Sequence, residues 1–414
     1  MKKIKIAILD EVGLSFNWDS VETKTLGGSE SSVIFMTREL AKLGVSVTVY
    51  NNCQEEGIFD GVRYINLSNI KEESYDILIS QRNLAPFFNI KLRIEYEKQY
   101  NQKHRSYFKL VKNAKWKVVW LHDFEYVGQP FLQKVLEENL IDEVFTLSDN
   151  HFLKTIKEVN PDLSKNKFFH TRNGIVPYYK EIDLSKKDRN LFLFNATRVK
   201  GLDPLLRDVW PKIKKEIPNA KLKIIGGYYI RNNTTKINPV KKPEEFQILI
   251  DKFHNKDGIY FTGALLHNEV AKEYLDASYF IYPAIYPETF GISIVEGHYY
   301  GVPLIGCKYG AIEETSTLEN SYLINGSYNR NKLEDLIEQV KIAYNEKELW
   351  EEKIKYNENY KQVLGWDSVA LQWKIHFEKV LKMESNQVEL EKHKENIKLL
   401  TKYTNKKFIN KEDI

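Results

Sequence analysis

Glu288 and Glu296 stand eight positions apart in the stretch Pro287-Glu288-Thr289-Phe290-Gly291-Ile292-Ser293-Ile294-Val295-Glu296-Gly297. Acids so spaced could grip hydroxyls, share an acid–base step, or do no more than dress a helix end. A helix start beside a glycine-containing loop offers unpaired amides and the positive end of the helix dipole. The Phe290, Gly291 and Ile292 amides could therefore hold a phosphate. Glu296, farther along such a strand–loop–helix unit, is placed to take ribose hydroxyls, while Glu288 on the loop is free to face a sugar. A glycosidase pair needs its carboxyls roughly 5 to 9.5 Å apart, whereas eight residues of helix span about 12 Å. Part of the span is loop, so hydrolysis is weakened without being excluded. The plainest reading is an ordinary helix N-terminus, with Glu288 favourable to the dipole and Glu296 solvated.

These residues need a strand before them and a helix after. Ser278 to Pro283 is aromatic and β-branched and ends at proline, which predicts a buried strand leaving a sheet. Ile292 to Tyr300, stopped by Gly301-Val302-Pro303, predicts a short buried helix. The same alternation runs through most of the chain. Strands are expected at 4–9, 45–50, 76–80, 117–121 and 143–147, with helices at 29–43, 129–139 and 150–158 between them. A second series has strands at 191–195, 221–225, 258–261, 279–282 and 303–306. This predicts two Rossmann-like parallel α/β domains, 1–176 and 190–364, joined by a polar linker at 177–189 and facing each other across a ligand cleft. In the last segment, 365–414, a long helix starting near Trp366 is expected to pack back towards the first domain. The tail from Met383 is expected to be a solvated or partner-binding helix with a frayed end.

The other candidates cluster at strand ends. Gly27 and Gly28 would let backbone approach a ligand at a helix N-terminus, with Ser29 as its cap; a simple turn explains them equally well. Their spacing is not that of a dinucleotide fingerprint, which argues against nicotinamide or flavin. His122, after Trp120-Leu121, reaches the cleft edge, where an imidazole could bond a sugar or a developing charge. Ser148, Arg172, Asn173 and Gly174 could line the same cleft, although each alone reads as a turn residue. Arg198 and Lys200 follow the first strand of the second domain and could neutralise a diphosphate.

The chain has 414 residues, 42% of them hydrophobic, and a net charge of +4 with both signs abundant. That composition suits sizeable cores and argues against a dedicated nucleic-acid binder. Cys53 and Cys307 have no metal-ligand spacing, and the amino terminus reads as a strand, not a signal peptide, so a cytoplasmic setting is expected. No apolar run is long enough to cross a bilayer. Residues 91–117 are basic, with Arg93, Lys103, Arg105, Lys109, Lys112 and Lys115 among aromatic residues. They could touch the anionic inner leaflet of a membrane, or simply face water.

Gly27-Gly28, Arg198, Lys200-Gly201 and the run from Pro283 to Glu296 together resemble family 4 retaining glycosyltransferases of GT-B fold. Gly301-Val302-Pro303 and Gly310-Ala311-Ile312-Glu313-Glu314 also resemble that family's pattern. The resemblance covers roughly residues 4 to 380. It implies a nucleotide-sugar donor, a UDP-sugar before a GDP-sugar, held mainly by the second domain. The acceptor, a glycan, a lipid-linked saccharide or a protein, would be held by the first. By the same resemblance Glu288 would contact the donor sugar and Glu296 the ribose. Thr289, Phe290, Gly291 and Ile292 would hold the diphosphate, Arg198 and Lys200 would stabilise the leaving group, Gly27 and Gly28 would approach donor phosphates or acceptor, and His122 would stand near the sugar. No Asp-x-Asp pair stands where a metal would bridge phosphates, so no metal cofactor is expected, and cations and amides must take the growing charge. The Arg-to-Lys separation is shorter than the family's, which favours Lys200 over Arg198. Ala311 stands where a second glycine is common and Glu313 where proline often occurs. The architecture also admits a nucleotide-sugar epimerase, a phosphorylase, or a non-catalytic peripheral membrane scaffold. The donor's base and sugar are left open, with the loop from Arg231 to Glu245 a candidate contributor to that choice.

Overall fold

The structure is a computed structural model and describes residues 3–101, 107–124, 129–159, 165–226 and 244–405. In the first domain, β1 (Lys5–Leu9), β2 (Ser46–Asn51), β3 (Gly57–Phe59), β4 (Val62–Asn66), β5 (Tyr75–Gln81), β6 (Ala114–Trp120), β7 (Glu143–Thr146) and β8 (Phe168–His170) form one sheet. Its order is β3-β4-β2-β1-β5-β6-β7-β8, parallel except where β3 meets β4. The strands β3, β4 and β8 are additional to those expected; two of them have three residues, too few to show a period.

The second domain carries β9 (Asp188–Asn195), β10 (Lys221–Ile225), β11 (Ile259–Gly263), β12 (Ala277–Tyr282), β13 (Leu304–Lys308) and β14 (Ser321–Asn325). They pair in the order β11-β10-β9-β12-β13-β14, all parallel. This is a doubly wound sheet whose order reverses between β9 and β12, and ligands bind outside the carboxyl ends of strands at such a switch. The first sheet reverses in the same way between β1 and β5. Both central strands β5 and β12 are buried along their whole length, as expected for sheets covered by helices on two faces.

The linker ends sooner than expected, because β9 begins at Asp188. Lys187 fastens it to the second domain by donating to Tyr274 O at 3.0 Å and Ala277 O at 2.8 Å. Burial pushes the Lys187 ammonium down to about 7. At the far end the chain returns: Ile175 N donates to Leu364 O at 2.9 Å, and a Cβ on Gly174 would stand 2.6 Å from the Trp366 backbone. The helix Trp366–Val380 then lies against the helix Gly28–Lys42 of the first domain. Its Trp373 packs edge-on against Trp120 and Phe145 at 4.7 and 4.9 Å.

Two surface expectations need correction. The helix Gln387–Tyr403 is packed rather than solvated up to its last turn: His393, Asn396, Ile397 and Leu400 are buried, and Tyr403 stacks on Tyr360. Their spacing makes a stripe one helix face wide, which the surrounding Lys and Glu hide in composition. In the basic segment, Tyr96 and Tyr100 of the helix Ile90–Tyr100 turn inward onto Phe131, so these aromatics belong to the core. Ile90 and Ile94 remain exposed beside Lys91 and Lys98. Lys103 and Arg105 lie outside the described residues.

Candidate functional site

A cleft of about 610 Å3 opens between the carboxyl edges of the two sheets. Gly27, Gly28, His122, Lys200, Glu288, Thr289, Phe290, Gly291, Ile292 and Glu296 all line it, whereas Arg198 does not. Arg198 and Lys200 share one 3-10 turn, and at three residues per turn positions two apart face different ways. The Arg198 guanidinium accordingly pairs with Asp203 at 2.9 Å. Among the described residues that leaves Lys200 as the cation lining the cleft, a correction to the expected pair.

The loop that carries Glu288 is clamped on both sides. Gly310 has φ +69°, and a Cβ there would stand 2.5 Å from Glu288 O; Gly201 has φ +142°, and its Cβ would meet Pro283 O at 2.4 Å. Only glycine tolerates both the conformation and the approach. Ala311 N donates to Glu288 O at 2.8 Å, and Ile285 N to Lys200 O at 3.3 Å. The Glu288 side chain is not free, as the sequence had suggested: Lys200 Nζ donates to Oε2 at 2.7 Å, and the Tyr282 hydroxyl donates to Oε1. The reason is burial: Glu288 is 6% exposed, and a buried carboxylate needs donors.

Gly291, at φ +80°, is the N-cap of the helix Ile292–Tyr299. The Ile294 and Val295 amides turn back to Gly291 O at 3.0 and 3.2 Å, which leaves the Ile292 and Ser293 amides at the helix mouth without an intrahelical acceptor. Glu296 lies one turn deeper on the cleft wall, partly accessible and without a hydrogen bond or ion pair among the described residues. Burial pushes its carboxyl up to about 7.

The opposite wall belongs to the first domain. Gly27 caps the helix Gly28–Lys42 with no side-chain bond; the expected cap, Ser29, donates instead to Glu30 Oε2 at 3.0 Å. A Cβ on Gly28 would meet nothing within 4 Å, whereas one on Gly27 would meet Glu30 Oε2 at 2.4 Å. Glu30 is buried and takes Arg82 Nη2 at 2.9 Å. Burial works to raise its pKa, but Arg82 and amide donors including Leu14 outweigh it and the net direction is down. Arg82 holds φ +59° to reach this position, and no local pattern in the sequence announces it.

His122 is 7% exposed. Burial, with Arg82 next, holds its pKa well below the usual range, so the imidazole is neutral at pH 7. The Gln81 amide nitrogen, which donates to Ser29 O at 2.6 Å, lies 3.3 Å from His122 Nε2. Its second hydrogen fits that ring nitrogen, which puts the imidazole proton on Nδ1. Asn173 and Gly174 line the cleft as expected. Ser148 and Arg172 lie behind it; Arg172 donates to Val363 O at 2.6 Å and Ser368 Oγ at 2.9 Å, fastening the returning C-terminal segment.

Among the described residues, three side-chain contacts join the two domains around the cleft. Thr289 Oγ1 donates to His122 O at 2.8 Å, and Ser31 Oγ lies 2.9 Å from His267 Nε2. Glu314 accepts from the Asp149 and Asn150 amides at 2.8 and 2.7 Å, capping the first-domain helix Asp149–Val159 from across the interface. None of these three was foreseen, because each joins residues far apart in the chain. Of the loop expected to touch the base or sugar, residues 231–243 lie outside the described residues.

Two doubly wound sheets facing across a cleft, with a C-terminal helix returning to the first, are the GT-B fold of glycosyltransferases. Residues 179–359 match the family model described as glycosyl transferases group 1. Among solved structures the chain is similar to the pneumococcal O-GlcNAc transferase GtfA in complex with UDP and GlcNAc. That match has 13% identity and TM-score 0.62 and covers 92% of this chain and 100% of that one. Sucrose-phosphate synthase from Thermosynechococcus elongatus matches at 15% identity and TM-score 0.61, covering 92% and 100%. A mutant of S. aureus TarM, in complex with fondaparinux, alpha-GlcNAc-glycerol and UDP, matches at 18% identity and TM-score 0.50 over 73% of this chain. The chain spans 55% of TarM's length. No curated protein matches it in sequence.

Proposed function

We propose that the chain is a retaining family 4 glycosyltransferase that moves a sugar from a UDP-sugar to a glycan, lipid-linked or protein acceptor, in the synthesis of a surface polysaccharide or glycoconjugate. The observation that carries this reading is the Lys200–Glu288 pair beside the mouth of the helix Ile292–Tyr299. It sits at the switch point of the second sheet, with neutral His122 across the cleft. A diphosphate there would meet one ammonium and two free amides, the groups needed to stabilise charge growing on a leaving nucleotide. Glu296 would take the ribose and Glu288 the sugar hydroxyls. With both Glu288 oxygens already engaged, front-face attack in which the leaving phosphate deprotonates the acceptor suits the site better than a carboxylate base. UDP in the GtfA and TarM structures favours a UDP-sugar.

On this reading no metal is required, and EDTA leaves transfer unchanged. Screening UDP-, GDP-, ADP- and dTDP-sugars by thermal stabilisation and by transfer to added acceptors tests the proposal. UDP-sugars are expected to stabilise the protein and lose their sugar to an acceptor; isomerisation without transfer would make it an epimerase. The exposed Ile90 and Ile94 beside Lys91 and Lys98 favour action at the cytoplasmic membrane face. Sedimentation with anionic liposomes, lost on Lys91→Glu with Lys98→Glu, checks that location.

A further inference from the structure

We propose that Tyr282, sealed beneath the cleft, is a positioning residue that fixes the Glu288 carboxylate and so decides which sugar hydroxyls the enzyme accepts. This rests on the reading of the cleft as a nucleotide-sugar site. Tyr282 is the last residue of β12 and is 1% exposed. Its ring packs against Phe194 and Phe280 at 5.8 and 6.0 Å, so it cannot reach a ligand. Its hydroxyl donates to Glu288 Oε1 while Lys200 holds Oε2.

A carboxylate offers about four acceptor positions. With one on each oxygen taken from below and from the side, the remaining pair faces the cleft in a fixed direction. Clamping of the backbone by Gly310 and Gly201 removes the other freedom that Glu288 would have. Lys200 alone would leave the carboxylate able to turn about that single contact. The phenol supplies the second anchor, and the sugar's hydroxyl pattern is read against a rigid acceptor rather than a mobile one. The Lys200 ammonium keeps hydrogens for the leaving phosphate, so one chain of contacts sets both the sugar and the bond to be broken.

Tyr282→Phe keeps the ring and removes only the hydroxyl. The contact itself is tested without ligand, by a double-mutant cycle with Glu288→Gln read in urea unfolding, where non-additive effects are expected. Calorimetry with UDP, UDP-glucose, UDP-galactose and UDP-GlcNAc follows. In Tyr282→Phe, UDP is expected to bind within about twofold of the wild type, while discrimination among the three sugars falls about tenfold and kcat falls at least as much. A merely structural tyrosine would weaken UDP and UDP-sugars together, in step with a lower Tm, and that result overturns the proposal. An additive cycle, or a Tyr282→Phe enzyme with unchanged sugar discrimination, overturns it alone. Wild-type protein that binds no UDP compound overturns the nucleotide-sugar reading and the sugar-selecting role together, leaving Tyr282–Glu288 a structural contact.

Discussion

The two walls of the cleft are built on different plans. The second-domain wall draws Lys200, Glu288, the helix-mouth amides and Glu296 from two loops at one switch point, pinned together by Gly201 and Gly310. The first-domain wall collects Gly28 and Glu30 from the start of the helix Gly28–Lys42 and His122 from beyond β6, and the buried pair of Glu30 with Arg82, which follows β5, fixes its floor. A compact wall suits a ligand part that every donor shares, the diphosphate and its ribose. A wall assembled from separate loops can vary with the acceptor. Removing a group from the second-domain wall should therefore abolish chemistry, and removing one from the first-domain wall should retune it.

The largest expected loss is at Lys200. Lys200→Ala is expected to lower kcat/KM for transfer by about 10² to 10³, as for other preorganised charge stabilisers, while Arg198→Ala stays near wild type. Equal losses in the two would erase the distinction drawn between them. Next, His122→Ala is expected to cost about tenfold in kcat, the effect of a neutral hydrogen-bonding group rather than of an essential base. Because the imidazole is neutral, the loss should be constant from pH 6 to 8 in steady-state assays. Glu314→Ala removes a cap shared between the domains and is expected to cost about 1 to 3 kcal/mol in denaturant unfolding, and to raise the donor KM by loosening closure.

The smallest effect concerns pH. Burial raises the Glu296 carboxyl from 4.5 to about 7, so the folded state holds a proton that the unfolded state has released between those values. The stabilising contribution is full below pH 4.5 and is lost as pH rises through 7. Glu296→Gln should therefore flatten the stability–pH slope in that window, read as Tm against pH. UDP binding should run the opposite way, tightening from pH 6 to 8 in the wild type as the carboxylate becomes able to accept both ribose hydroxyls, and staying flat in the variant.

The same contrast between walls decided what the sequence could tell. The second-domain cleft residues lie within short motifs on a strand–loop–helix unit, so residue type, glycine placement and period mark them together; Lys200, the run from Glu288 to Ser293, and Glu296 line the cleft. What failed there was the direction of side chains within one turn, as at Arg198, and the hydrogen bond that Tyr282 donates to Glu288 from inside the sheet. On the first-domain side, Arg82 meets Glu30 across 52 positions, and Glu314 caps a helix across 165. No local period encodes such meetings. The central strands were legible because their apolar runs are continuous; the helix Gln387–Tyr403 was misread because its apolar stripe is one face wide within a charged sequence.

In the proposed function the Lys200 wall holds the diphosphate of a uridine nucleotide. Titration calorimetry of UDP into the wild type and Lys200→Ala tests it most directly. Saturable one-to-one binding by the wild type is expected, weakened about 100-fold or more in Lys200→Ala. Absence of binding by the wild type, or equal affinity in the two, would contradict it.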